Sequence, residues 1–249
     1  MTGPATLGWQ LATCVALRNE TATVKTIGFD LPGWRGHRAG QHVDVRLTAP
    51  DGYQAQRSYS IASAAGMGSR IELTVERISG GEVSEFLTSG LTLGDAIEIR
   101  GPIGGYFIWA PETSTPLMLV GGGSGVVPLM SMLRTRLCSG AKAPARLLYS
   151  ARRLEDLIYK DELNQLVTLN DGFSLVPTLT RGAPSGWKGE SRRIDHDILA
   201  RHAFPAAQRP GIFVCGPTAF VEVVADLLVA SGYDAETIKT ERFGPTSPP

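Results

Sequence analysis

Short runs of alternating apolar and polar residues dominate roughly the first 110 positions of the chain. Six of them read as strands, because successive side chains on a strand point to opposite faces and one face is buried: WQLATCVALRN, TVKTIGFDL, HVDVRLTAP, RSYSIAS, RIELTVER and AIEIRGP. GWRGHRAG and SAAGMGS, rich in glycine, read as loops. A helical period interrupts the rhythm once, in GEVSEFLTSGL, where Val83, Phe86, Leu87 and Leu91 fall on one face. Six short strands with glycine-rich turns predict a small closed antiparallel barrel.

WAPETSTP, residues 109–116, has two prolines and no periodicity, and reads as a linker. Beyond it strands alternate with helices. PLMLVGGG is a buried apolar strand, VVPLMSMLRTRL a helix, ARLLYSA a strand and LEDLIYKDELNQL a helix. FSLVPTLT and GIFVCGP are further strands, and PTAFVEVVADLLVASG is a long helix ending at a glycine. That order predicts a parallel, doubly wound α/β sheet. The expected fold class is therefore a two-domain chain, with a six-stranded antiparallel β-barrel over residues 1–110 and the α/β sheet over 116–249.

Composition narrows the function. The 249 residues are 43% hydrophobic and 19% charged, as in an ordinary globular protein. Lys+Arg 24 balances Asp+Glu 24, so no net field draws in nucleic acid or an anionic membrane. No apolar run is long enough to span a bilayer, and the first residues lack the pattern of a signal peptide, so the cytoplasm is the expected location. Cys14, Cys138 and Cys215 are odd in number and far apart, which argues against a disulfide framework. No C-x4-C-x2-C set is present for a [2Fe–2S] cluster, and His37, His42, His196 and His202 lack metal-ligand spacing, so no metal site is expected.

Two stretches carry chemistry that a core does not need. RSYSIAS, residues 57–63, offers no good apolar stripe on either face; it sets a cation, an aromatic ring and a hydroxyl at Arg57, Tyr59 and Ser60. LVGGGSGVVPLMSML follows a strand and opens a helix, where free backbone N–H groups and the helix dipole attract phosphate. Gly121, Gly122, Gly123 and Gly125 let the backbone approach an anion, although such a turn also serves packing alone. The pattern G-x-G-x-x-P at 123–128 is neither the usual dinucleotide fingerprint nor a Walker loop. At the end of the next strand Ser150, and just past it Arg152, stand in place of the acid that binds a ribose in NAD sites. A hydroxyl and a guanidinium suit a 2′-phosphate, with Arg181 as a second cation, which points to NADPH and leaves NADH possible.

In these pieces, taken in order, the chain resembles the ferredoxin–NADP reductase superfamily: Arg57-Ser58-Tyr59-Ser60, GGEVSEFL at 80–87, the 121–128 turn and Cys215-Gly216-Pro217. The resemblance covers nearly the whole chain and implies a flavin-binding barrel followed by a nicotinamide-binding sheet. It implies that Arg57 reaches a flavin phosphate, with Ser58 beside it. It also implies that Tyr59 lies on the isoalloxazine ring and that Ser60 sits near flavin N5. Gly81, Glu82, Val83 and Ser84 then hold the second phosphate through helix-start amides and the Ser84 hydroxyl, which favours FAD over FMN. Gly122, Gly123, Ser124, Gly125, Ser150, Arg152, Arg181, Cys215, Gly216 and Pro217 are assigned to the nicotinamide dinucleotide, with Cys215 a contact near its C4 rather than a nucleophile. Glu241-Arg242-Phe243 is similar to the acid-x-aromatic ending of plant-type members. This sets Glu241 beside Ser60 and Cys215 at the reacting centre and Phe243 over the flavin. Here GPTSPP continues past Phe243, a departure from that ending. The implied activity is transfer of electrons from NADPH through FAD to a separate acceptor: a ferredoxin, a flavodoxin or a partner oxygenase or other metalloenzyme. Two alternatives stay open, a diffusible flavin or quinone reductase and a flavin-binding sensor subunit that does not turn over.

Overall fold

The computed structural model describes residues 7–244. The first unit is a six-stranded antiparallel sheet: β1 (Gln10–Asn19), β2 (Val24–Asp30), β3 (His42–Thr48), β4 (Gln54–Ser60), β5 (Arg70–Glu76) and β6 (Ala96–Ile103), in the order β4-β3-β6-β1-β2-β5. An antiparallel bridge between Ile61 and Leu73 joins the end of β4 to β5, so the two edges of the sheet meet. The inward residues of the alternating runs, among them Ile27, Phe29, Val43, Val45, Leu73 and Ile99, form one core.

The interrupting helical stretch is short. α1 (Glu82–Glu85) passes directly into a π turn over Phe86–Gly90, closed by Leu91 N–H donating to the Phe86 carbonyl at 2.9 Å. Val83, Leu87 and Leu91 are buried as their spacing predicts, but Phe86 is 39% exposed. The wider turn rotates Phe86 off the inward face, and its ring lies against Gly90, where an added Cβ would come within 3.0 Å.

The second unit comprises β7 (Leu117–Gly122), α2 (Val126–Ser139), β8 (Ala145–Ala151), α3 (Lys160–Thr168), β9 (Phe173–Leu179), α4 (His196–His202), β10 (Gly211–Pro217), α5 (Thr218–Ala230) and β11 (Ile238–Phe243). Its sheet runs β11-β10-β7-β8-β9 with every pairing parallel. β7 is buried along its whole length, as a continuous apolar run in a two-sided sheet should be. Strand order reverses between β7 and β10, the crevice where open α/β sheets bind ligands.

Three features of the second unit differ from the sequence reading. LEDLIYKDELNQL is not one helix: a 3-10 turn covers Leu154–Asp156, Tyr159 enters the left-handed region at φ 59, and α3 starts only at Lys160. Tertiary contacts override the helical pattern there. The Tyr159 hydroxyl donates to Thr74 of β5, and Ile158 N–H donates to the Tyr149 hydroxyl at 3.1 Å. α4, capped by the Asp195 carboxylate accepting from Ile198 N–H at 2.9 Å, and the edge strand β11 had no expected counterpart.

The two units share a core. Val24, Ala39, Ala62, Phe107 and Trp109 of the barrel side pack with α2 and β7. Trp109, which opens the expected linker, is thus buried in the seam. Arg134 of α2 crosses it, donating to the Ala62 carbonyl at 2.9 Å and to Glu72 at 2.8 Å on one side and to Glu162 of α3 at 2.6 Å on the other. The guanidinium is largely buried while both carboxylates stay about one third exposed, and the bonds to Ala62 and Glu72 tie α2 to the barrel.

Candidate functional site

A cavity of about 450 Å³ opens where the two units meet. The barrel lines it with Arg57, Ser58, Tyr59 and Ser60 of β4, Thr74 and Glu76 of β5, and Gly81, Val83 and Ser84 around α1. The sheet contributes Ser124 and Val127, and β11 brings Phe243 and Gly244. Larger grooves of about 720 Å³ and 540 Å³ lie elsewhere, but neither gathers the RSYSIAS residues.

The surroundings of Ser58, Tyr59 and Arg57 on β4 differ sharply. Ser58 stands opposite Asp44 of β3 and donates to it at 2.7 Å, and Arg100 of β6 donates to the same carboxylate at 2.7 Å. Burial pushes the Asp44 carboxyl up, yet those two hydrogen bonds more than offset it and leave it below the usual carboxylate range. Tyr59 packs on the barrel core, and burial pushes its phenol up to about 12, so it presents a neutral ring. Arg57 is exposed and donates only to the neighbouring Gln56 carbonyl, at 2.6 Å, with no ion pair among the described residues. An unpaired guanidinium beside an aromatic face fits a phosphate-bearing ring system.

The α1 stretch divides. Gly81 starts the helix, whose first-turn amides lack intrahelical acceptors and can face an anion. The Ser84 hydroxyl is already committed, accepting from Ile78 N–H at 3.1 Å and donating to the Gly81 carbonyl at 3.0 Å. Glu82 lines the 540 Å³ groove instead and accepts from the Tyr53 hydroxyl at 3.0 Å.

The glycine turn sits at the strand-order reversal. A 3-10 turn over Gly123–Gly125 leads from β7 into α2. Only Gly123 faces open space, at φ +55. A Cβ on Gly125 would meet the Cys215 carbonyl oxygen at 2.1 Å, and Cβ atoms on Gly122 and Gly216 would strike the Phe220 ring at 2.8 and 2.7 Å. Gly122 and Gly216 therefore make room for Phe220, a residue the motifs did not single out, and Gly125 lets the turn lie directly against β10. Ser124 turns towards the barrel and donates to Glu76 at 2.8 Å.

Ser150, one residue before the end of β8, stands directly opposite Gly122 in the sheet register, placing the glycine turn and the expected 2′-phosphate side on neighbouring strand ends. Arg152 and Arg181 are adjacent, Arg181 N–H donating to the Arg152 carbonyl at 2.8 Å. Both side chains are exposed, without ion pairs among the described residues.

Cys215 pairs with Glu241, and Pro217 with Phe243, across β10 and β11. Burial, with Glu241 adding to it, pushes the Cys215 thiol well up, so it is no thiolate nucleophile. Glu241 Oε2 is buried without a hydrogen-bond partner among the described residues, while Oε1 lies 3.9 Å from His42 Nδ1. His42 stands opposite Ser60 across β3 and β4, a neighbour that only strand register reveals. Phe243, 37% exposed, shares the cavity with Tyr59. Beyond Gly244, residues 245–249 of the tail lie outside the described residues.

Burial pushes the Glu241 carboxyl up to about 7. Between the ordinary carboxylate value and that figure the folded chain keeps a proton the unfolded chain has released, so stability falls as pH rises through this window. Glu241→Gln, which cannot titrate, loses less stability than the parent between pH 5 and 8, by about 1 kcal/mol or more. Denaturant unfolding at a series of pH values measures it; parallel curves would remove the carboxyl from the account.

Among the described residues no helix is long and apolar enough to cross a membrane, and no group of three metal-ligating side chains gathers. A phosphate-seeking barrel strand and a glycine turn at the crevice of a parallel sheet define a flavin- and nicotinamide-binding oxidoreductase. Residues 15–108 match the oxidoreductase FAD-binding domain family and residues 119–226 the oxidoreductase NAD-binding domain family. Ferredoxin–NADP reductase B of Sorangium cellulosum is 35% identical over 239 residues, 93% of this chain and 96% of that one. The glycine betaine monooxygenase reductase subunit of Pseudomonas aeruginosa is 33% identical over 97% of this chain, which spans 66% of that subunit's length. The crystal structure of the Amycolatopsis cytochrome P450 reductase GcoB superposes with a TM-score of 0.82 at 27% identity, over 98% of this chain and 73% of that one. The chain belongs to the ferredoxin–NADP reductase superfamily, with FAD and NAD(P)H as its cofactors.

Proposed function

We propose that this protein is an NADPH-dependent flavoprotein reductase that passes electrons to a separate acceptor protein, a ferredoxin, a flavodoxin or a partner oxygenase. The observation that carries the reading is the seam cavity, where Arg57, Tyr59 and Ser60 of the barrel meet Ser124 and Phe243 of the sheet. Relatives named as reductase subunits of monooxygenases support a protein acceptor. The barrel unit, 1–110, holds FAD, and the unit 116–249 receives the nicotinamide coenzyme. A cytoplasmic location follows from the coenzyme pool it draws on.

Bound FAD supplies a ring that accepts hydride and releases electrons singly. The chain's part is orientation. Arg57 would hold a flavin phosphate, Tyr59 would carry the ring, and the Ser60 hydroxyl would lie on the reacting side of it. Ser150, Arg152 and Arg181 take the far end of the coenzyme. Cys215 would shape the approach of the nicotinamide, while Glu241, whose carboxyl is pushed up to about 7 by burial, keeps a proton beside His42, the residue opposite Ser60. Phe243 covers the cavity from the sheet side.

The test is direct. Acid release should yield about one FAD per chain, and NADPH should bleach it within seconds under anaerobic conditions. Bleached protein should then reduce a purified ferredoxin faster than it reduces free FMN. FMN as the released flavin, or fastest turnover with free flavin, would overturn the reading in favour of another cofactor or a diffusible-flavin reductase.

A further inference from the structure

The seam cavity holds one group that the proposed chemistry has not used. Glu76, the last residue of β5, is the only carboxylate among the residues lining it, and it makes no ion pair among the described residues. Its Oε2 accepts the Ser124 hydroxyl at 2.8 Å, so the acid is held at the junction of barrel and glycine turn. A neutral hydroxyl fixes the position of a carboxylate without cancelling its charge. The cation of the same cavity, Arg57, is given over to a flavin phosphate in the reading above, on which this inference rests.

A fixed negative charge in a partly desolvated cavity opposes the gain of electrons by whatever is bound beside it. We infer that Glu76 is a potential-setting residue, which makes the protein-bound flavin a stronger reductant and so favours onward delivery of electrons over their retention. The Ser124 hydrogen bond would then serve to hold the carboxylate in place, and the contact of Gly125 with Cys215 links that point to the coenzyme side.

Glu76→Gln keeps the shape and can still accept from Ser124, but removes the charge. Its flavin potential, measured by dye-coupled reductive titration, should rise by the equivalent of tenfold or more in the two-electron equilibrium, about 30 mV. Ser124→Ala removes the hydrogen bond and keeps the charge, so its potential should not rise. An unchanged potential in Glu76→Gln overturns the inference. A rise of equal size in both variants also overturns it, because Ser124→Ala keeps the charge and a shared rise cannot then come from losing it. The titration needs no coenzyme. If the wild-type protein binds no flavin, the reading of the site fails; if flavin binds and the potential ignores Glu76, only this inference fails.

Discussion

Arg152→Ala loses tenfold or more of kcat/KM with NADPH and changes little with NADH. Its guanidinium is exposed just past the end of β8, without an ion pair among the described residues, so removal disturbs no core contact. Its backbone is independently fixed by the Arg181 N–H at 2.8 Å. A charge-assisted bond to a 2′-phosphate is worth about 1.5–3 kcal/mol, which is about one to two factors of ten. NADH has no such phosphate, and the loss should therefore appear in one coenzyme only. Arg181→Ala, on the neighbouring strand end, should act in the same direction and more weakly. Steady-state assays of wild type and both variants with each coenzyme decide it. Equal losses with NADPH and NADH would make Arg152 a structural residue, and a wild type that prefers NADH would reverse the assignment.

That arginine was legible because strand ends in a parallel sheet are fixed by the periodic pattern. ARLLYSA marks β8, so the residues just past its end must stand at the crevice. The barrel was equally open to reading, since its strands alternate cleanly around Ile27, Phe29, Val43 and Leu73. β11 was not, because IKTERF mixes Ile and Phe with Lys239, Glu241 and Arg242 and draws its order from pairing with β10 alone. α4 has only seven residues, too few for a period to register. The break before α3 depends on Tyr159 reaching Thr74 across the seam, a contact no local pattern encodes. At the site, Arg57, Tyr59 and Ser60 stood out because they spoil a core stripe. Glu76 did not: an acid at the end of a strand looks like any solvated charge until the fold brings Ser124 against it. His42 likewise gains meaning only from register, opposite Ser60 and near Glu241.

The glycine turn carries the largest expected effect. Gly125→Ala should slow NADPH-driven flavin reduction a hundredfold or more while leaving flavin bound. Gly125 has ordinary helical dihedrals, φ -62 and ψ -11, so alanine meets no conformational penalty there. The obstacle is space. Its Cβ would lie 2.1 Å from the Cys215 carbonyl oxygen, 2.4 Å from the Cys215 carbonyl carbon and 2.7 Å from the Gly216 Cα, all backbone atoms of β10. Backbone in the middle of a parallel sheet cannot swing aside, so the turn must lift away from Cys215, at a cost of about 1–3 kcal/mol in packing. The greater loss is in alignment, since a displacement of about 1 Å at a reacting centre costs on the order of a hundredfold in rate. Flavin should stay because Arg57, Tyr59 and Ser60 belong to β4, on the other side of the seam. Gly123→Ala provides the contrast. It forces alanine into φ +55 but meets nothing within 4 Å, so it costs about 1 kcal/mol of strain and leaves the turn in place. Stopped-flow reduction by NADPH, with dithionite as a coenzyme-independent reductant and acid-released flavin as the control, separates the two variants. Gly125→Ala reduced by NADPH at the wild-type rate would mean that the coenzyme does not approach the flavin past this turn.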